Sequence, residues 1–245
     1  MTTDRALAVP AQARLGALGR TYGLDDHQLA ALAALLRLIA TDPLAPTTVR
    51  DPEASVDQHL ADALVALELA QVRGAQVAAD LGAGAGLPGL ALAAALPSCR
   101  WTLVESVTRK ALFIDRAIEM MGLDNAQGVN LRAEEWRAGR QVNELITARA
   151  VAATPVVLEY AAPLLCLGGS FVDWRTEMAP QEDGDARAAA DLLGLERIEA
   201  RRVTPFTGAR SRFLYVYVKV RDTPDRFPRR VGSARKRPLG SSTRG

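Results

Sequence analysis

The alternation of apolar and polar positions divides the chain into two textures. Residues 25–40, DDHQLAALAALLRLIA, open on acids, repeat Leu and Ala at helical spacing and stop before Pro43, which predicts a helix. Three prolines in TDPLAPTTVRDP then break the period. A second helix is predicted to start at Asp51-Pro52, a cap followed by proline in the first helical position, and to run to about Ala70. Its apolar face is Val56, Leu60, Leu64 and Leu67. From residue 75 short apolar runs alternate with helical stretches. QVAADLG (76–82), CRWTLVE (99–105), GVNLRAE (128–134), ELITARAV (144–151) and GSFVDW (169–174) read as strands. LPGLALAAALP, TRKALFIDRAIEMMG and residues 155–166 read as the helices between them, the second with Ala111, Ile114, Ile118 and Met121 inward and Gly122 as its stop. RIEARRVTPF and RFLYVYVKV close the pattern as an antiparallel pair. Such alternation implies an α/β fold, a mainly parallel sheet with helices on both faces. The expected organisation is an N-terminal helical segment (1–70), an α/β domain (71–220) and a C-terminal tail (221–245).

Composition changes this picture at one end only. The formal charge is +2, but residues 221–245 hold eight Arg or Lys against two Asp, which leaves the remainder acidic. A basic tail seeks an anion, unless it is simply a solvated extension. Cys99 and Cys166 stand apart with no histidine cluster nearby, so neither a metal site nor a disulfide framework is expected. No run is apolar enough for a signal peptide or a membrane span. A soluble, cytoplasmic protein is expected.

The densest chemical signal is ADLGAGAGLPG, residues 79–89, where four glycines follow an apolar run ending in Asp80. A strand–glycine–helix passage in a doubly wound sheet binds ligands on bare backbone, at the carboxyl ends of the strands. Gly84 to Gly89 satisfies the dinucleotide fingerprint, yet read from Asp80 the stretch is D-x-G-x-G-x-G, the pattern of S-adenosylmethionine-dependent methyltransferases. A carboxylate there suits a methionine ammonium better than a pyrophosphate, which favours the positive end of a helix. Glu105, ending the second strand, suits the ribose hydroxyls of either nucleotide. Tyr215 and Lys219 match the YxxxK pair of small dehydrogenases, but on a predicted strand they stand roughly 13 Å apart. That match is accidental.

Taken in order, several motifs resemble one family, the bacterial small-subunit rRNA guanine-N7 methyltransferases known as RsmG or GidB. RDPEASVDQHLADAL (50–64) is similar to that family's helix with a His and an Asp, here His59 and Asp62. DLGAGAGLPGLALA is similar to its glycine loop, and TLVES, RAEEW and ARAVA stand where it has a ribose acid, an adenine-contact segment and an arginine motif. FPRRVGSARKRPL resembles its proline–arginine tail. Ala45-Pro46-Thr47 and Trp174-Arg175-Thr176 depart from the usual segments, both where family members face substrate.

The resemblance implies a Rossmann-like class I methyltransferase fold with a seven-stranded sheet. It implies S-adenosylmethionine held by Asp80, Gly82, Ala83, Gly84, Gly86, Leu87, Glu105, Ser106, Ala133, Glu134 and Arg149. The partner would be 16S rRNA in the small ribosomal subunit, contacted by Arg175, Arg229, Arg230, Arg235, Lys236 and Arg237, with the protein acting as a monomer. Arg149 is the expected catalytic residue, gripping guanine O6 or a phosphate; a salt bridge to Glu134 is the plainer alternative. His59 and Asp62, three residues apart, are expected to share a helical face as a structural pair. The alternatives are a non-catalytic RNA-binding or assembly protein on the same fold, and a nicotinamide-dependent reductase.

Overall fold

The computed structural model describes residues 7–240; residues 1–6 and 241–245, the ends of the expected helical segment and basic tail, lie outside it. The strands are β1 (Val77–Leu81), β2 (Arg100–Val104), β3 (Ala126–Val129), β4 (Asn143–Arg149), β5 (Leu165–Arg175), β6 (Leu195–Val203) and β7 (Arg212–Lys219). They form one seven-stranded sheet in the order β3-β2-β1-β4-β5-β7-β6, parallel except for β7, which runs antiparallel to both neighbours.

Burial on both faces explains why the strand sequences read as unbroken apolar runs. Side chains alternate between two cores: Leu103, Leu145, Val172 and Leu214 to one face, Val104, Ile146, Phe171 and Tyr215 to the other. The first face is covered by α1 (Val9–Tyr22), α2 (Asp26–Thr41), α6 (Gly89–Ala95) and α7 (Thr108–Met121). The second is covered by α8 (Thr154–Ala161) and α9 (Pro180–Leu193). Helix α2 begins with a capping box, in which Asp25 accepts from Gln28 N and Gln28 accepts from Asp25 N, each at 2.8 Å. Its Leu32, Leu35 and Ile39 are fully buried in the same core as Phe113 and Ile114 of α7. The N-terminal helices therefore pack as a part of the sheet's cover.

The structure departs from the sequence reading at four points, one of them a helix, α9, for which no element was expected. The helix expected from Asp51 to Ala70 starts as read, with Asp51 accepting from Ala54 N at 2.8 Å, and buries Val56, Leu60, Leu64 and Leu67. It is not one regular helix: α3 (Pro52–Ser55) widens into a π-helical stretch, Val56–Ala61, followed by α4 (Asp62–Leu64), a 3₁₀ turn (Val65–Glu68) and α5 (Ala70–Gly74). Such widening commonly marks functional positions, and this one carries His59. Strand β3 begins and ends earlier than 128–134, so Ala133 and Glu134 lie on a 3₁₀ turn, Ala133–Glu135. Helix α9 carries no large apolar stripe; it buries only Ala186, Ala189, Ala190 and Leu193, at helical spacing.

The tail is the fourth. Phe227 and Ala234 are buried against the α8–α9 face, and Ser233–Lys236 forms a short helix, α10. Arg229 donates from its backbone N and Nε to Oε1 of Glu159 at 3.0 and 2.9 Å, and from Nη2 to Oε2 at 2.5 Å. Glu159 is 1% exposed, so this pairing answers a carboxylate that would otherwise be buried alone.

Candidate functional site

Strand order reverses between β1 and β4, so the chains leaving them part and open a crevice at their carboxyl ends. The glycine loop leaves β1 there, and Ala150-Val151 leave β4. Gly82, Gly84 and Gly86 adopt left-handed φ of 66°, 58° and 79°, a conformation open to glycine at little cost. They are bare for different reasons. A Cβ on Gly82 would come within 2.8 Å of Val151, and one on Gly86 within 2.1 Å of Leu90. Above Gly84 the nearest atom is 3.7 Å away. Gly84 thus has free space above it, while Gly82 is the loop glycine that lines the neighbouring cavity.

Glu105 organises this loop from the end of β2. It is 5% exposed, and its Oε2 accepts from Gly84 N at 3.0 Å while Oε1 accepts from Val107 N at 2.8 Å. Its carboxylate lines a cavity of about 380 Å³, together with Gly82, Ser106, Ala133 and Glu134. Leu81, Val104, Val107, Leu131 and Val151 give the cavity apolar walls, and Lys110, Arg132, Ala150, Tyr160 and Arg235 complete it. A slot with apolar side walls, a polar rim and a carboxylate at the strand end fits a nucleoside.

Other expected cofactor residues stand behind this cavity. Ala83 and Leu87 are buried in the core, and Gly86 packs on Leu90. Asp80 corrects the expectation most sharply, because its carboxylate does not reach out for an ammonium. It is fully buried, accepting from Gly89 N at 2.9 Å and from Thr147 Oγ1 at 2.8 Å. A Cβ on Gly89 would lie 2.7 Å from the Asp80 Cβ, so the glycine permits the contact and the acid fixes the start of α6. Burial pushes the Asp80 carboxyl up to about 7, against the bonds from Gly89 and Thr147 that favour its charged form. The folded state thus holds the proton more tightly than the unfolded chain, whose carboxyl keeps its ordinary value of 3.8. The resulting stability is present below about pH 4 and is lost as pH rises towards about 7, on the order of a few kcal/mol. Thermal unfolding of Asp80→Asn should lack that decline, so the two melting profiles should diverge between pH 4 and 7; parallel profiles would contradict this role.

A second cavity, of about 360 Å³, is lined by His59, Asp62, Arg149, Trp174, Arg175 and Arg212 among others. Ala150 borders both cavities. It holds φ at 57°, unusual for a residue with a Cβ, at the point where the two meet. Arg149 faces this second cavity and does not line the first. Its partner is Asp62 rather than Glu134: Nη1 donates to Asp62 Oδ2 at 2.7 Å, and Arg212 Nε donates to Oδ1 at 3.0 Å. His59 and Asp62 do not bond to each other. His59 Nε2 lies 3.0 Å from the Val49 carbonyl and 3.2 Å from Thr47 Oγ1, so the divergent 45–47 segment supports the imidazole without lining the cavity itself. Burial, helped by the charge of Arg149, lowers the His59 pKa and favours a neutral ring.

Arg175 also lines the second cavity, with Nε donating to Asp173 Oδ2 at 2.9 Å and Nη2 to the Ala152 carbonyl. The remaining expected RNA residues divide. Arg229 is engaged with Glu159, and Arg235 donates to the Val151 carbonyl at 3.1 Å on the rim of the first cavity. Arg230, Lys236 and Arg237 are exposed. The tail is tied to the cavity again through Gly232 N, which donates to Glu134 Oε1 at 3.1 Å. Sequence reasoning missed Tyr160, Arg212 and the cofactor-side position of Arg235.

The reductase pair has other duties. Tyr215 accepts from Met178 N at 3.0 Å, and the buried Lys219 donates to the carbonyls of Ala162 and Leu165 at 2.8 and 2.9 Å. Residues 28–208 match the GidB family, described as rRNA small subunit methyltransferase G. The chain belongs to this family. It is 38% identical to a ribosomal RNA small subunit methyltransferase G from Rubrobacter xylanophilus over 78% of this chain and 75% of that protein. It is 34% identical to a protein of the same name from Thermotoga neapolitana, over 89% and 95%. Among solved structures, a SAM-dependent methyltransferase from Aquifex aeolicus has the same fold, with a TM-score of 0.53 at 11% identity, over 68% of this chain and 93% of that one. The class I methyltransferase fold expected from the sequence is the fold observed, and the chain is an S-adenosylmethionine-dependent methyltransferase. The first cavity fits that cofactor: the Glu105 carboxylate can take ribose hydroxyls, the apolar walls an adenine, and the bare backbone of Gly82 the remainder.

Proposed function

We propose that this chain methylates N7 of a guanosine in 16S rRNA of the small ribosomal subunit, as a cytoplasmic monomer. The observation that carries the reading is the meeting of the two cavities at Ala150, one suited to a nucleoside cofactor and the other lined by three arginines. Bound in the first cavity, S-adenosylmethionine supplies an electrophilic methyl group. The chain's own part is to bring a base to it in line and to exclude water, which is catalysis by positioning. Guanine N7 keeps an exposed lone pair, so no proton has to leave before it reacts. The second cavity agrees with that chemistry, because both oxygens of its carboxylate, Asp62, are held by Arg149 and Arg212.

The test is transfer of labelled methyl from S-adenosylmethionine to small subunits from cells lacking this gene, followed by digestion of their RNA to nucleosides. Label in 7-methylguanosine is expected; label in another nucleoside, or none, would contradict the reading. An inert assembly protein would bind the subunit and transfer nothing.

RNA binding is assigned to the exposed cations of the tail. Phosphate contacts release counterions, giving a log–log salt slope of about −0.7 per contact on single strands. Replacing Arg230, Lys236 and Arg237 together by Ala should flatten the slope by about 2, independently of RNA sequence, and should leave S-adenosylhomocysteine affinity unchanged. An unchanged slope would make this strip a solvated surface.

A further inference from the structure

In the lining of the second cavity, His59 carries the one buried side-chain atom with no hydrogen-bond partner among the described residues. The residue is 7% exposed, and its Nδ1 has no hydrogen-bond partner. An unpartnered buried polar atom is costly, and in a site it points to a ligand group. The tautomer follows from the neighbours. The Val49 carbonyl can only accept, so at 3.0 Å the proton of a neutral ring sits on Nε2 and leaves Nδ1 a bare lone pair. The cavity wall therefore holds a buried acceptor on His59 beside donors on Arg149 and Arg212, whose guanidinium groups Asp62 holds in place.

Resting on the proposed N7 chemistry, we infer that this cavity reads the Watson–Crick edge of guanine. His59 Nδ1 accepts from the N1–H or 2-amino group, and Arg149 and Arg212 donate to O6. That edge carries an acceptor beside two donors, and adenine reverses the pattern at N1 and C6. N7 lies on the other side of O6, so a base held by this edge keeps its N7 lone pair free. The Trp174 indole, whose Nε1 donates to the Asp62 carbonyl at 2.8 Å, braces the wall that carries both the acid and the imidazole.

The test uses the full-length protein and synthetic small-subunit rRNA fragments in which the methylated guanosine is kept, replaced by inosine, or replaced by 2-aminopurine riboside. Inosine lacks the 2-amino group; 2-aminopurine lacks O6 and N1–H; both retain N7. For the wild type, kcat/KM should fall roughly 10- to 100-fold with at least one analogue, the range for a lost bond that leaves its buried partner unpaired. His59→Phe should lose a similar factor on guanosine, and should lose little more on the analogue that lacks its partner group. S-adenosylhomocysteine affinity should stay at the wild-type value. His59→Gln, which can still donate to the Val49 carbonyl, is the second variant should the first fail to fold. Equal rates of the wild type on all three bases would overturn the inference while leaving N7 methylation standing. So would a His59 defect of equal size on every base, which is the mark of a general base or a structural residue. No methylation of any fragment, or of the intact subunit, would overturn the underlying reading and this inference with it.

Discussion

Glu105→Ala is expected to weaken cofactor binding severely in a protein that still folds. The carboxylate holds Gly84 N and Val107 N at 3.0 and 2.8 Å, so its removal frees both the glycine loop and the start of α7 while taking away the only carboxylate read here as a ribose acceptor. Hydrogen bonds to a charged group contribute about 1.5–3 kcal/mol each, so losing the ribose bonds and the ordered loop together should weaken S-adenosylhomocysteine by at least about 100-fold. Calorimetric titration reads this directly, with thermal unfolding measured alongside. Wild-type affinity in a folded Glu105→Ala protein would move the cofactor elsewhere.

Arg149→Ala should give the opposite split. The side chain faces the second cavity, so methyl transfer should fall about 100- to 1,000-fold, as for a lost donor to a reacting group, with cofactor affinity close to wild type. Its loss also leaves the buried Asp62 paired with Arg212 in place of two cations, so a modest drop in melting temperature is expected too. Lost cofactor binding in the folded variant would place Arg149 in the first cavity.

The sheet was legible because strands buried on both faces announce themselves as apolar runs, and the glycine loop because left-handed backbone selects glycine. Strand β3 was misplaced since AQGV contains one apolar residue larger than alanine. Helix α9 was invisible because its buried face consists of three alanines and one leucine. The role of Asp80 depends on Thr147, 67 positions away, and the docking of the tail on Glu159, 70 positions from Arg229. Local patterns hold no record of such pairs. The tail is therefore no solvated extension: Phe227 and Arg229 fasten it to the α8–α9 face, and Arg235 to the rim of the cofactor cavity. The same distance effect hid the division of the arginines: nothing near Arg149 in the chain says that it meets Asp62, 87 positions away, rather than Glu134.

The central claim is that two cavities, one for cofactor and one for base, meet at Ala150. A crystal structure with S-adenosylhomocysteine tests it most directly. The account predicts the adenosyl group between Glu105, Ala133 and Tyr160, with the second cavity, around His59, Asp62 and Arg149, left open for the base. Adenosyl density beside His59 and Arg149 would contradict it.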